Sequence, residues 1–186
     1  NQVNLVGHGN LRINAMGFES RKAEPTELLF MREMLLKQLQ QGAFGLSSGL
    51  VYAPGAFSDI EEMVALAKVC ASVGGYYTTH MRNEGSRLIE SAVEAIEVCR
   101  QSGVTTVISH LKAVGKPNHG KVLEVLTMID EAAAEGLPVY GDCYPYIAGS
   151  TTLTIVLPPW TLEKGIEGLL EQLQRPIARE RIRKDF

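Results

Sequence analysis

Residues 76–82 read YYTTHMR, and residues 105–112 read TTVISHLK. Each segment has the composition of a β-strand and carries a histidine near its end. Before each segment the sequence predicts an amphipathic helix that ends at a glycine. Strand, helix and glycine turn in regular alternation are typical of parallel βα units. Because neighbouring strands of such a sheet end at the same edge, we expect His80 and His110 to lie close together.

The same alternation extends outward from these two segments. It predicts further strands at residues 3–8, 42–47 and 139–144, and helices at residues 26–41, 58–73, 86–102, 120–135 and 161–173. Thr26 is a candidate N-cap, and Ser58-Asp59-Ile60-Glu61 is a candidate capping box. No linker divides the chain, so we expect one domain over residues 1–186.

Five βα units are too few to close a barrel, which needs eight. An open sheet of the flavodoxin type is the alternative. Its strands are buried on both faces and are usually continuous runs of Val, Ile and Leu. The strands here carry His, Ser, Thr and Asp near their ends. The expected fold class is therefore α/β, with parallel βα units forming part of a (β/α)8 TIM-type barrel.

The composition excludes several classes of partner. A net charge of -3 over 186 residues gives no reason to expect nucleic acid or an anionic membrane, and no apolar run is long enough for a bilayer. The three cysteines lack a CxxC spacing, which favours a reducing compartment such as the cytoplasm. Residue 1 is not Met, so a fragment or a processed product is expected. Nothing indicates the oligomeric state.

His80 and His110 are the first candidate metal ligands, since neutral imidazole suits zinc. A pair of hydrogen-bonded core histidines is the alternative. His8, between two glycines, and His119, in a polar loop, are weaker candidates.

Two cations follow the histidines. Arg82 and Lys112 each lie two residues after a histidine, so each is expected to share a strand face with that histidine. A cation beside a metal suits an anionic substrate such as a carboxylate. A surface ion pair is the alternative, for Arg82 with Glu84.

Polar side chains also lie at the end of the fifth predicted strand and in the loop after it. Tyr144 and Ser150 could donate hydrogen bonds into the site, and Asp142 could be a ligand, a base or a support for a neighbouring strand. Cys143 alternates away from them and is expected in the core. Cys70 and Cys99 are expected to pack on helix faces.

Four segments together resemble one known family. They are GAFGLSSGL at 42–50, THMRNE at 79–84, SHLK at 109–112 and DCYPYIAGST at 142–151. In this order and spacing they are similar to the D-aminoacylases, or N-acyl-D-amino-acid deacylases, of the amidohydrolase superfamily. The resemblance implies a (β/α)8 barrel beside a small β domain, and a zinc-dependent hydrolase that converts a small N-acyl-D-amino acid to a D-amino acid and a carboxylate.

The resemblance also implies residue roles. His80 and His110 would be zinc ligands on strands five and six. Lys112, Tyr144 and Ser150 would bind the substrate α-carboxylate, and the loop at Val51 and Tyr52 would line the side-chain pocket.

Other family features have no match in these residues. The HxH pair and the ligand cysteine would lie before residue 1, and the general-base Asp would lie beyond residue 186. The chain would then match strands three to seven and be inactive alone. Another cyclic-amide amidohydrolase, dihydroorotase- or hydantoinase-like, is an alternative, although such enzymes favour a carboxylated Lys on strand four and residues 43–50 contain none. A non-catalytic barrel module is the other alternative.

Overall fold

The strand order distinguishes between the two sheet types expected from the sequence. The computed structural model describes residues 2–185. Its strands are β1 (Leu5–Gly7), β2 (Gly45–Gly49), β3 (Tyr76–His80), β4 (Thr105–Ile108) and β5 (Val139–Gly141). They form one parallel sheet in the order β1-β2-β3-β4-β5, so each strand pairs with its neighbours in sequence. A doubly wound sheet reverses its order at a switch point, whereas this sheet winds in one direction as barrels do.

Seven α-helices connect or follow these strands within residues 2–185. They are α1 (His8–Met16), α2 (Pro25–Gln40), α3 (Ile60–Ser72), α4 (Leu88–Ser102), α5 (Lys121–Ala134), α6 (Gly165–Gln174) and α7 (Pro176–Asp185). Helix α1 was not expected from the sequence, which placed His8 at the end of the first predicted strand. It begins directly after β1, and Gly7 is its N-cap.

The helix starts differ in detail from the sequence expectations. Glu24, not Thr26, is the N-cap of α2, and it forms a reciprocal capping box with Glu27. Asp59 caps α3 by accepting from the backbone N–H of Glu62 at 2.9 Å. The Ser58 hydroxyl donates instead to the Gly55 carbonyl at 2.7 Å. The Glu24 and Asp59 carboxylates each accept a backbone N–H from the first turn of their helix. Both helices are therefore capped, but the capping residues lie one or more positions away from the predicted ones.

The core lies between the sheet and its helices. One cluster packs around β2 and β3 and includes Leu11, Met31, Leu35, Leu46, Met63, Leu66 and Tyr77. A second packs around β4 and β5 and includes Leu88, Ala92, Cys99, Ile108, Val125 and Val139. Tyr77 and Thr79 of β3 are buried, whereas His80 belongs to the less buried face of that strand. The alternation of β3 therefore turns His80 away from the helices.

The cysteines follow the sequence prediction at two of three positions. Cys70 and Cys99 are buried, as expected, but Cys143 is exposed. The prediction for Cys143 was wrong because β5 ends at Gly141, so strand alternation no longer applies two residues later. Within residues 2–185, every helix is too short or too polar to cross a membrane.

Candidate metal centre

The two histidines of the predicted site meet at one edge of the sheet. His80 is the last residue of β3, and His110 lies two residues after β4. His80 Nδ1 and His110 Nε2 are 2.9 Å apart, and the ring centroids are 4.6 Å apart. The predicted proximity of the two imidazoles is therefore confirmed.

His110 adopts an uncommon backbone conformation. Its φ of 43° lies in the left-handed region, which costs a non-glycine residue of order 1–3 kcal/mol. The Asp142 side chain holds it there by accepting the backbone N–H of His110 at 2.5 Å. The Asp142 carbonyl also accepts the N–H of Leu111 at 2.8 Å. Of the roles considered for Asp142, support of a neighbouring strand end is the one that these contacts favour.

Glu84 is the member of the site that the sequence interpretation missed. Its carboxylate lies 3.0 Å from His110 Nδ1 and 3.8 Å from His80 Nε2. Among residues 2–185, His80, Glu84 and His110 are the group whose donor atoms all lie within 4.8 Å of one another. Glu84 was considered only as a partner for Arg82; its position four residues after His80 was the available signal.

Arg82 does not share the site with His80. Its guanidinium donates to Glu94 at 2.8 Å, to the Ala56 carbonyl at 3.0 Å and to the Ser58 carbonyl at 3.1 Å. The expectation that Arg82 shares a face with His80, and its pairing with Glu84, are both wrong. Strand β3 ends at His80, so the i, i+2 rule does not extend to Arg82. This side chain ties α4 to the segment before α3.

Lys112 and Tyr144 lie beside His110. Lys112 Nζ is 2.9 Å from His110 Nδ1, donates to both Glu84 oxygens at 2.7 Å and lies 5.6 Å from the Tyr144 ring centroid. The Tyr144 ring is 6.5 Å from the His110 ring. Strand β4 ends at Ile108, so Lys112 reaches the site by folding back and not by strand alternation.

The remaining candidate residues are Ser150 and the other two histidines. Ser150 is exposed and makes no side-chain hydrogen bond within residues 2–185. His119 is exposed, and His8 is fully buried with Nε2 2.6 Å from Glu62 Oε1. The weaker metal candidates therefore do not join the cluster.

The donor set fits a divalent metal such as zinc. Burial lowers the pKa of His80, and the charges of His110 and Lys112 lower it further against the opposing charge of Glu84. His80 is thus held as the neutral imidazole that binds metals. Two nitrogens about 2.0–2.1 Å from a tetrahedral zinc ion would be roughly 3.4 Å apart, close to the spacing of the pair.

A largely apolar cavity lies beside Tyr52, which is a neighbour of His80. The Tyr52 ring centroid lies 5.1 Å from that of His80, and the Tyr52 hydroxyl lies 2.6 Å from Thr151 Oγ1. The cavity has a volume of about 230 Å³. Its lining includes Phe18, Val51, Tyr52, Ile155, Leu157 and Leu162. Val51 and Tyr52 thus line a cavity, and their role in the substrate side-chain pocket stays a prediction.

Curated relatives of the chain are deacylases of N-acyl-D-amino acids. A D-aminoacylase of Alcaligenes xylosoxydans xylosoxydans is 39% identical over 153 residues, and an N-acyl-D-glutamate deacylase of the same organism is 40% identical over 153 residues. The matches cover 82% of this chain and 31% of each relative. The chain thus spans about a third of the length of these relatives. No protein-family model matches the chain.

Solved structures agree with the sequence relatives. The N-acyl-D-glutamate deacylase of Bordetella bronchiseptica, complexed with zinc and a phosphonate inhibitor, superposes with a TM-score of 0.77 at 38% identity, covering 78% of this chain and 31% of that one. A D-aminoacylase described as defining a novel subset of amidohydrolases gives 0.75 at 37%, covering 78% and 30%.

The chain has the same parallel α/β architecture as these solved amidohydrolases, and this likeness defines its fold class. Within that class it is a homologue of the D-aminoacylases and N-acyl-D-amino-acid deacylases over most of its length. The family resemblance seen in the sequence is therefore confirmed.

Proposed function

We propose that this chain is part of a zinc-dependent amidohydrolase that hydrolyses N-acyl-D-amino acids to a D-amino acid and a carboxylate. The observation that carries the proposal is the pair His80 Nδ1 and His110 Nε2, 2.9 Å apart at the ends of two consecutive parallel strands. Active sites of barrel enzymes lie at this edge. The identity of 37–40% to named deacylases selects this reaction class.

In this proposal, residues 1–186 form a single domain, and β1 to β5 are strands three to seven of a (β/α)8 barrel. Sequential strand order and one direction of winding support a barrel segment. The general-base Asp is expected beyond residue 186, as the family resemblance implies.

The chain's own residues would prepare the metal ligands. His80 and His110 would hold the ion, and Asp142 would fix the position of His110 through its backbone N–H. When bound, zinc supplies a polarised amide carbonyl and a water of lowered pKa. The low pKa of His80 favours this role, because a protonated imidazole has no free lone pair.

The substrate carboxylate would be bound by Lys112, Tyr144 and Ser150. Lys112 carries its ammonium 2.9 Å from His110 Nδ1, and a cation beside the proposed metal ligands suits a carboxylate. The Tyr144 ring centroid lies 5.6 Å from that ammonium. Ser150 is exposed, so its hydroxyl is accessible to an anion. The substrate side chain would enter the cavity at Val51 and Tyr52.

The cyclic-amide alternative lacks a supporting observation. The strand that would correspond to strand four is β2, Gly45–Gly49, and it contains no Lys to carboxylate. A non-catalytic module would not hydrolyse the substrate, and the following experiment measures this.

The test uses the full-length protein. Zinc content and hydrolysis of N-acetyl-D-methionine, with the L-enantiomer as control, are measured for the wild type, His80→Ala, His110→Ala and His119→Ala. His119 is an exposed histidine outside the cluster and serves as the matched control. We expect zinc and activity to be lost in the first two variants and retained in the third. Full zinc and activity in His110→Ala would refute the proposal.

A further inference from the structure

The loop between β2 and α3, residues 50–58, passes close to both parts of the proposed site. The Tyr52 ring centroid lies 5.1 Å from that of His80. Val51 and Tyr52 also line the apolar cavity of about 230 Å³. The position of this β2–α3 loop therefore decides where one wall of the cavity lies relative to His80.

The chain at and just after the end of β3 holds both ends of the β2–α3 loop. At the start of the loop, the Leu50 N–H donates to the His80 carbonyl at 3.0 Å. At its end, the Arg82 guanidinium donates to the Ala56 carbonyl at 3.0 Å and to the Ser58 carbonyl at 3.1 Å. The segment that carries one proposed metal ligand thus also anchors the loop that lines the cavity.

Hydrogen bonds continue from the end of the loop to its middle. The Ala56 N–H donates to the Tyr52 carbonyl at 2.8 Å, and the Tyr52 N–H donates to the Gly49 carbonyl at 3.0 Å. The backbone of Tyr52 is thus linked to the residue that Arg82 holds. Loss of the guanidinium should release this end of the loop, whereas the start of the loop keeps its own hydrogen bond to the end of β3.

Glu94 of α4 directs the Arg82 guanidinium toward the loop. Its carboxylate accepts from Arg82 Nη2 at 2.8 Å and from Nε at 3.0 Å. Such a two-point contact fixes the plane of the guanidinium, so its remaining N–H groups keep one direction. The Arg82 and Glu94 side chains are only 26% and 18% exposed, which shields these contacts from water. A lysine ammonium cannot reproduce this planar set of donors.

We propose that Arg82 is a positioning residue that holds the β2–α3 loop, and with it the Val51 and Tyr52 wall of the cavity, in place beside His80. Arg82 acts through the loop, since its hydrogen bonds go to Glu94 and to two loop carbonyls. The inference rests on the proposed function, in which the substrate side chain enters this cavity. Removal of the guanidinium then weakens binding of that side chain and leaves the metal ligands in place.

The test compares Arg82→Met with Arg100→Met in the full-length protein. Arg100 is a matched control because it also pairs with a glutamate, Glu135, and within residues 2–185 it makes no hydrogen bond to the loop. Kinetics are measured for N-acetyl-D-methionine and for N-acetyl-D-alanine, whose methyl group is too small to fill the cavity. Zinc content is measured in parallel, as is the rate of chymotrypsin cleavage after Tyr52 and Phe57.

We expect Arg82→Met to raise KM for N-acetyl-D-methionine about ten- to a hundredfold with a smaller change in kcat, because a displaced wall weakens substrate binding. The change should be much smaller for N-acetyl-D-alanine, and the zinc content should equal that of the wild type. Chymotrypsin should cleave the loop faster. Arg82→Lys should lie between the wild type and Arg82→Met, and Arg100→Met should match the wild type throughout.

A second variant keeps the test decisive if thermal unfolding shows that Arg82→Met does not fold. Glu94→Gln removes the charge that orients the guanidinium and leaves Arg82 itself in the chain. It should raise KM for N-acetyl-D-methionine in the same substrate-dependent way, to a smaller extent.

Three results would overturn the inference: unchanged kinetics, an equal loss on both substrates, or a loss of zinc. The last two would mean that Arg82 supports the fold or the metal site. The proposed function would still stand in each case if the wild type binds zinc and hydrolyses N-acetyl-D-methionine. A wild type that hydrolyses neither substrate would refute the proposed function, and this inference would fail with it.

Discussion

Replacing Lys112 with Met removes a charge beside the metal pair and keeps an apolar stem of similar length. The Lys112 ammonium donates to both Glu84 oxygens at 2.7 Å and to the His110 carbonyl at 2.9 Å. A substrate carboxylate that binds there takes over part of these hydrogen bonds. A charge-assisted hydrogen bond contributes roughly 1.5–3 kcal/mol. Since about 1.4 kcal/mol corresponds to a factor of ten, kcat/KM should fall about ten- to a hundredfold.

The assay for Lys112 uses two substrates that differ only in the carboxylate. Hydrolysis of N-acetyl-D-methionine is compared with that of its amide, in the full-length protein. The loss should shrink for the amide, because the missing ammonium then has an uncharged partner. Lys116→Met, at an exposed position in the following turn, is the control and should behave as the wild type. An equal loss on both substrates would mean that Lys112 supports Glu84 and His110 and does not bind the carboxylate.

Four further outcomes are expected. Asp142→Ala should weaken zinc binding, because it releases the backbone N–H of His110. Asp142→Asn keeps a hydrogen-bond acceptor and should weaken zinc binding less. Equal zinc affinities in the wild type and both variants would exclude a role of Asp142 in positioning His110. Burial raises the pKa of Tyr77 from 10.0 to about 12, so the unfolded state loses this proton at a lower pH than the folded state. The free energy of unfolding should therefore fall as the pH rises from about 10 to about 12. Tyr77→Phe should remove the phenolate absorbance that appears at the highest pH in the wild type. A Cβ at Gly45 would lie 1.9 Å from the Tyr76 carbonyl oxygen. Gly45→Ala should therefore lower the free energy of unfolding, measured in urea, by about 3 kcal/mol or more. Gly120 has open space around it, so Gly120→Ala should lower it far less. Residues 1–186 expressed alone should lack deacylase activity and bind zinc poorly; zinc-dependent turnover that is lost in His110→Ala would show otherwise.

The sheet was predictable because its signals are local. Each strand is a short β-like run, and each connecting helix has a regular apolar face and a glycine end, so five parallel strands followed from the pattern. The sequence interpretation missed α1, whose first residue, His8, is buried against Glu62 of α3. This contact spans 54 residues, and no local pattern predicts it.

The site was predictable only as far as the strands extend. His80 ends β3, so its face follows from alternation. Arg82, Glu84 and Lys112 lie beyond the strand ends, where the path of the backbone depends on contacts made elsewhere. The left-handed conformation of His110, stabilised by Asp142, turns the chain so that Lys112 returns to the imidazole. Periodicity therefore identified the two histidines, whereas Glu84 was considered as a partner of Arg82 and in fact binds Lys112.

The sequential order of the strands has a consequence for how the sheet grows. Each strand pairs with the one made just before it, so pairing can advance stepwise from β1 to β5 as the chain leaves the ribosome. Within the described residues, β1 and β5 each have a single strand partner, and each outer side is a row of backbone donors and acceptors that can bind another strand. Those rows are templates for continued pairing. A preparation restricted to residues 1–186 should therefore self-associate through them, and added flanking sequence that pairs with them should suppress the association.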